Sequence, residues 1–157
     1  EYTKVAKINP NHKFYYYLIG NNKKEIFNNS KKININLLDI PKNFFIKKQV
    51  TNFKNELKKY DCLISTSYGE GFGATISDAV CEGINVISTK TNGAKYIFRK
   101  KSLLWCSIKS IKDLDIQIKK FLRLDKASKL NLIKNAQQDI LKTDQQIVIK
   151  KLIKLII

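Results

Sequence analysis

The chain has 157 residues and a formal net charge of +17, a length that buries one core and predicts a single domain over residues 1–157. No apolar run is long enough to span a membrane, and no signal-peptide pattern opens the chain. The charge by itself suits nucleic acid or an anionic membrane, but arginine occurs only at Arg99 and Arg123, and the lysines run from Lys4 to Lys154 without gathering into a patch. Bidentate phosphate recognition favours arginine and a binding footprint is clustered, so the expectation is lysine-covered solvent faces and no nucleic-acid partner.

In chain order, residues 2–8 read as a helix closed by the turn Asn9-Pro10-Asn11. His12, the single histidine, follows in that loop without catalytic partners and is expected in solvent. Residues 14–19 form an aromatic and apolar strand ending at Gly20. Residues 21–32 read as a polar loop with a helical turn at 25–27, and residues 33–38 as a strand ended by Asp39-Ile40-Pro41, where Pro41 removes a donor. Residues 51–60 predict a helix with Phe53, Leu57 and Tyr60 on one side.

The most informative stretch comes next. Cys62-Leu63-Ile64, closed by Ser65, Thr66 and Ser67, is too short for a helix and fits a strand covered on both faces. Gly71 and Gly73 flank Phe72, which permits positive φ or a close ligand. Residues 74–82 predict a helix with Ile76, Ala79 and Val80 on one face and Gly83 at its C-terminus. Residues 84–87 return as a second strand, so the loop opens into a helix N-terminus, where backbone N–H groups and the helix dipole favour an anion. Beyond it come a short helix at 93–98, a strand at 103–106, a helix at 111–124 capped by Ser110 with Leu114, Ile118 and Phe121 as its stripe, and helices at 127–141 and 145–157. Strands alternating with helices predict an α/β fold: a Rossmann-like parallel sheet with helices on both faces, binding ligands at the carboxyl ends of its strands. The three cysteines, Cys62, Cys81 and Cys106, lack metal-ligand spacing, and the apolar patterns around Cys62 and Cys81 predict reduced core thiols in a cytoplasmic protein.

Glu70-Gly71-Phe72-Gly73, then Asp78 eight positions after Glu70, then Cys81-Glu82-Gly83 and the apolar strand resemble the donor-binding segment of retaining GT-B glycosyltransferases, glycosyltransferase family 4. Asn92-Gly93-Ala94 stands where that family carries a glycine-rich turn, and a looser likeness runs from Glu1 through the C-terminal helices. The family usually has Glu as its second acid; here the shorter Asp78 takes that place. Gly71-Phe72-Gly73 alone would be an ordinary turn, since it lacks the third glycine of a dinucleotide fingerprint and the Lys of a P-loop. Glu70 alone would be a surface carboxylate.

The resemblance implies the C-terminal half of a GT-B enzyme that binds a UDP- or GDP-linked sugar and transfers it, with retention and without metal or cofactor, to a glycan or lipid-linked acceptor in polysaccharide or lipopolysaccharide biosynthesis. It implies Glu70 at the donor sugar as the catalytic contact, with the backbone at Gly71, Phe72 and Gly73 lining the sugar pocket. The N–H groups near Ala74 and Thr75 would meet the diphosphate, Asp78 the ribose hydroxyls, and Asp39 and Ile40 the base. The chain opens at Glu1 without methionine and reads as a piece of a longer protein. The family's acceptor domain and its early Arg and Lys would precede Glu1, so the piece alone is expected to transfer no sugar. The apolar segment at 145–157, with Lys150, Lys151 and Lys154, suits docking on the enzyme body or, as the lesser reading, peripheral contact with an anionic membrane on its inner face. The rival functions are a GT-B-like binding module without catalysis and a basic nucleic-acid-binding domain.

Overall fold

The structure, a computed structural model, describes residues 2–18, 40–48, 50–69, 71 and 73–143. The expected helical turn at 25–27, the strand at 33–38 and the helix at 145–157 lie outside those residues. The chain divides into two compact units between Phe53 and Lys54.

In the first unit, helix α1 (Tyr2–Ile8) leads through the expected turn to strand β1 (Phe14–Leu18), which pairs in parallel with β2 (Phe44–Lys48). The register sets Phe14 against Phe44 and Tyr16 against Ile46. Tyr15 stacks on Phe45 at 5.1 Å between ring centroids, and Tyr16 on Phe44 at 6.0 Å, cross-strand aromatic pairs of the kind that stabilise sheets. No element is expected from the sequence at 42–50, so β2 is an addition. Its Phe44-Phe45-Ile46 run is short and followed at once by Lys47 and Lys48, and it gains its strand character from the aromatic face of β1. Asn43 Nδ2 donates to the carbonyls of Ala6 (2.9 Å) and Asn9 (3.0 Å), fastening α1 to the entry of β2. His12 is exposed, as expected.

Helix α2 (Phe53–Leu57) crosses the boundary and is shorter than the predicted 51–60. The second unit then runs β3 (Cys62–Ser65), α3 (Ala74–Cys81), β4 (Asn85–Thr89), α4 (Asn92–Ile97), β5 (Leu104–Cys106), α5 (Ile111–Arg123) and α6 (Lys126–Lys142). Its sheet is parallel with order β3-β4-β5. All five residues of β4 are buried; because successive side chains point to opposite faces, both faces of that strand are covered. Strand β3 pairs with β4 and is half-buried at all four of its residues, on both faces alike.

The helices are built as their sequences direct. Helix α3 buries Ile76, Ala79 and Val80 and rests on β3 and β4. Gly83 follows it at φ 76°, a left-handed turn that glycine adopts without penalty. Ser110 accepts from Asp113 N–H at the head of α5, whose buried stripe is Leu114, Ile118 and Phe121. Asp125 caps α6 through Ser128 N–H at 2.6 Å. Cys81 is exposed rather than in the core, because the apolar face of α3 turns away from that position. Cys106 is buried and Cys62 half-buried; desolvation pushes the Cys62 thiol up to about 12, so it stays protonated and poorly reactive. Among the described residues no helix is long and apolar enough to cross a membrane.

A buried carboxylate ties the end of α6 to the sheet. Asp139, 2% exposed, pairs with Arg99 Nε, accepts from Ser102 Oγ, and accepts from Arg99 N–H at 2.9 Å. The loop before β5 is thereby fixed on α6.

Candidate functional site

The carboxyl edge of the β3-β4-β5 sheet gathers three loops. The Thr89 hydroxyl donates to the Ser67 carbonyl at 2.6 Å, tying the loop after β3 to the end of β4. Lys90 N–H donates to the Cys106 carbonyl at 3.2 Å, tying the loop after β4 to the end of β5. The Lys109 ammonium, from the loop after β5, lies 5.1 Å from the centroid of the Tyr68 ring in the loop after β3. Thr91 accepts from Ala94 N–H and starts α4 from the same edge.

Gly73 stands at the N-cap of α3 with φ 67° and ψ 39°, in the left-handed region, and its carbonyl accepts from Ser77 N–H at 3.0 Å. No side chain caps this helix, so the N–H groups of its first turn, at Ala74, Thr75 and Ile76, point toward the end of the loop as helix termini leave them. Ala74 and Thr75 are exposed. A methyl group added at Gly71 would meet nothing within 4 Å among the described residues. This edge can accept an anion, through N–H donors and the positive end of the α3 dipole.

Asp78 sits one turn into α3, half-buried, with Oδ1 3.3 Å from Lys54 Nζ. Glu70, Phe72 and Asp39 lie outside the described residues. Ile40 is half-buried in the first unit, ahead of β2. The structure thus brings Gly71, Gly73, Ala74, Thr75 and Asp78 to one loop and one helix. Sequence reasoning did not single out Lys54, Tyr68, Thr89 or Lys109. A signal for Lys54 was available: Lys54 and Lys58, four apart, match Asp78 and Glu82, four apart within the next helix and just past it.

Lys109 has φ 62°, a left-handed conformation for a non-glycine residue. That geometry costs an L-residue about 1–2 kcal/mol, while an exposed cation–π contact returns about 0.5–1 kcal/mol. Glycine also adds about 0.4–1 kcal/mol of unfolded-chain freedom, so Lys109→Gly should leave the urea midpoint nearly unchanged; a clearly lower midpoint would show that the Tyr68 contact outweighs the backbone strain.

Comparison with known proteins decides the family. The family model described as glycosyl transferases group 1 matches residues 3–139. The chain belongs to that family. This group 1 glycosyltransferase domain is 33% identical over 100 residues to the N,N'-diacetylbacillosaminyl-diphospho-undecaprenol alpha-1,3-N-acetylgalactosaminyltransferase of Campylobacter jejuni, a match that covers 63% of this chain and 26% of that protein. The chain therefore spans about a quarter of the length of the curated relative it matches. Among solved structures it is similar to a glycosyltransferase from Rickettsia africae, with a TM-score of 0.74, 16% identity, and coverage of 98% of this chain and 42% of that one. It is also similar to Anabaena HepE in complex with UDP and glucose, with a TM-score of 0.63, 18% identity, and coverage of 85% and 39%. At these identities the two structures speak to the fold, and the fold is that of the C-terminal, Rossmann-like half of GT-B glycosyltransferases.

Proposed function

We propose that this domain holds the nucleotide-diphospho-sugar donor, UDP- or GDP-linked, of a retaining and metal-independent family 4 glycosyltransferase. The observation that carries this reading is the uncapped amino end of α3, headed by left-handed Gly73 at the carboxyl edge of a parallel sheet. A diphosphate placed there would take N–H donors from Ala74 and Thr75. Preorganised donors of this kind stabilise the charge that develops on a departing nucleoside diphosphate. Asp78, as an acceptor-only carboxylate, would receive the ribose hydroxyls, and Glu70 would contact the donor sugar beside its reacting carbon. Gly71, Phe72 and Gly73 would line the sugar, and Asp39 and Ile40 the base.

Residues 1–157 serve in this reading as one donor-binding domain, with the acceptor held by another part of the protein. The Campylobacter relative is named for an undecaprenol-diphosphate acceptor, which supports a glycan or lipid-linked acceptor here, in polysaccharide or lipopolysaccharide assembly. The enzyme would work in the cytoplasm, with peripheral contact at the inner face of the membrane as the lesser reading beside docking of residues 145–157 on the enzyme body.

The ribose contact is the same in ground and transition states, so its loss should weaken donor binding uniformly. In the full-length enzyme, Asp78→Ala should raise the donor KM by roughly tenfold to a hundredfold with kcat little changed, as expected for losing charge-assisted hydrogen bonds. Asp78→Glu, which restores the reach usual in the family, should keep KM at or below the natural value. An unchanged KM in Asp78→Ala would remove Asp78 from the nucleotide site.

A further inference from the structure

Two ion pairs link α2 and α3 and the residues just past their ends: Lys54 to Asp78 at 3.3 Å within the helices, and Lys58 to Glu82 at 2.9 Å just beyond them. The two rungs differ in position. Lys58 and Glu82 lie beside the turns that enter β3 and β4, at the amino edge of the sheet. Lys54 and Asp78 each stand one helical turn earlier, toward the carboxyl edge where the loop and Gly73 lie. They differ in burial as well, since Glu82 is 21% exposed and Asp78 42% exposed. The Lys58–Glu82 rung is the shorter and the less solvated; an ion pair as exposed as Lys54–Asp78 adds little to stability.

We propose that Lys54 is a positioning residue of the nucleotide site, its ammonium orienting the Asp78 carboxylate for the ribose diol. This rests on the donor-binding reading given above. A carboxylate offers about four lone-pair positions, and one contact through Oδ1 leaves Oδ2 and the second Oδ1 position to receive two hydroxyl hydrogens. Aspartate carries its carboxylate one methylene closer to its own helix than glutamate does, and a contact from a neighbouring helix can select among its few rotamers. Lys54 does this from α2, and its positive charge also favours a nucleoside diphosphate entering beside it.

The test measures binding of UDP and GDP, and of their 2′-deoxy forms, to the full chain and its variants. The readout is the affinity ratio of each ribonucleotide to its deoxy form, which a purely structural rung would not move. In the natural protein one of the two pairs should show discrimination of about tenfold, the scale of one hydrogen bond to a charged group, and Asp78→Asn should bring that ratio near unity. Lys54→Gln should lower the ratio by about threefold to fivefold, Lys54→Arg should restore most of it, and Lys58→Gln should leave it unchanged while shifting thermal stability by as much as Lys54→Gln or more. A full ratio in Lys54→Gln, alongside a collapsed ratio in Asp78→Asn, overturns the role of Lys54 and leaves the donor site standing. An Asp78→Asn ratio equal to that of the natural protein, or no binding of either diphosphate, overturns the donor-site reading and this inference with it.

Discussion

Glu70→Gln in the full-length enzyme should lower turnover at saturating donor by about a hundredfold or more, the scale of a contact made chiefly in the transition state, while affinity for free UDP or GDP stays within about threefold. The reason is the division of labour between the two acids. In the proposed reading, free nucleoside diphosphate has no sugar for Glu70 to touch; its diphosphate would meet the N–H groups at the head of α3 and its ribose would meet Asp78. The sugar ring changes charge at its anomeric carbon as the bond to diphosphate breaks, and a carboxylate beside that carbon acts on the change. Glutamine keeps the volume and removes the charge. Loss of diphosphate binding in Glu70→Gln, with turnover at saturation intact, would exchange the roles assigned to Glu70 and Asp78.

Asp139→Ala should destabilise the second unit by about 3 kcal/mol, the cost expected when a buried carboxylate that satisfies several donors is removed. The Arg99 N–H and the Ser102 hydroxyl would each lose their acceptor, and Ser102 is itself 2% exposed. Arg99 is half in solvent and recovers water for its guanidinium, so the loss falls mainly on the buried partners. Asp139→Asn keeps one acceptor oxygen but sets an NH2 group against those donors, and should lose about half as much stability. Urea denaturation followed by circular dichroism measures both. A midpoint for Asp139→Ala within experimental error of the natural protein would mean that the loop before β5 is held by its apolar packing alone. Because Asp139 lies on α6 and binds the entry of β5, away from the glycine loop, its variants should lower the folded fraction and leave the donor KM of folded enzyme unchanged.

Local periodicity made much of this domain legible. Leu114, Ile118 and Phe121, spaced four and three apart, can meet a core only from one side of a helix, and Ser110 before them can do little but cap it; the structure has both. Ile76, Ala79 and Val80 fix the buried face of α3 in the same way. The order glycine loop, helix, strand likewise required a parallel crossover, and β3 and β4 pair in parallel. These features depend on neighbours within a few residues, so the chain carries them wherever it folds.

Other features depend on which distant segments meet. Strand β2 is short and two of its five residues are lysine, and it becomes a strand because β1 lays an aromatic row beside it. Cys81 follows Val80 in an apolar-looking run, yet the helical turn puts it in solvent. Asp139 is one acid among the polar residues of α6, and nothing near it in sequence says that it is buried; its partners stand 37 and 40 positions earlier. Lys54 looks like any of the chain's many lysines until the fold sets its ammonium 3.3 Å from Asp78. A carboxylate's environment is set by what the fold brings within a few ångströms, and the crossovers of the sheet, rather than sequence spacing, decide who those neighbours are.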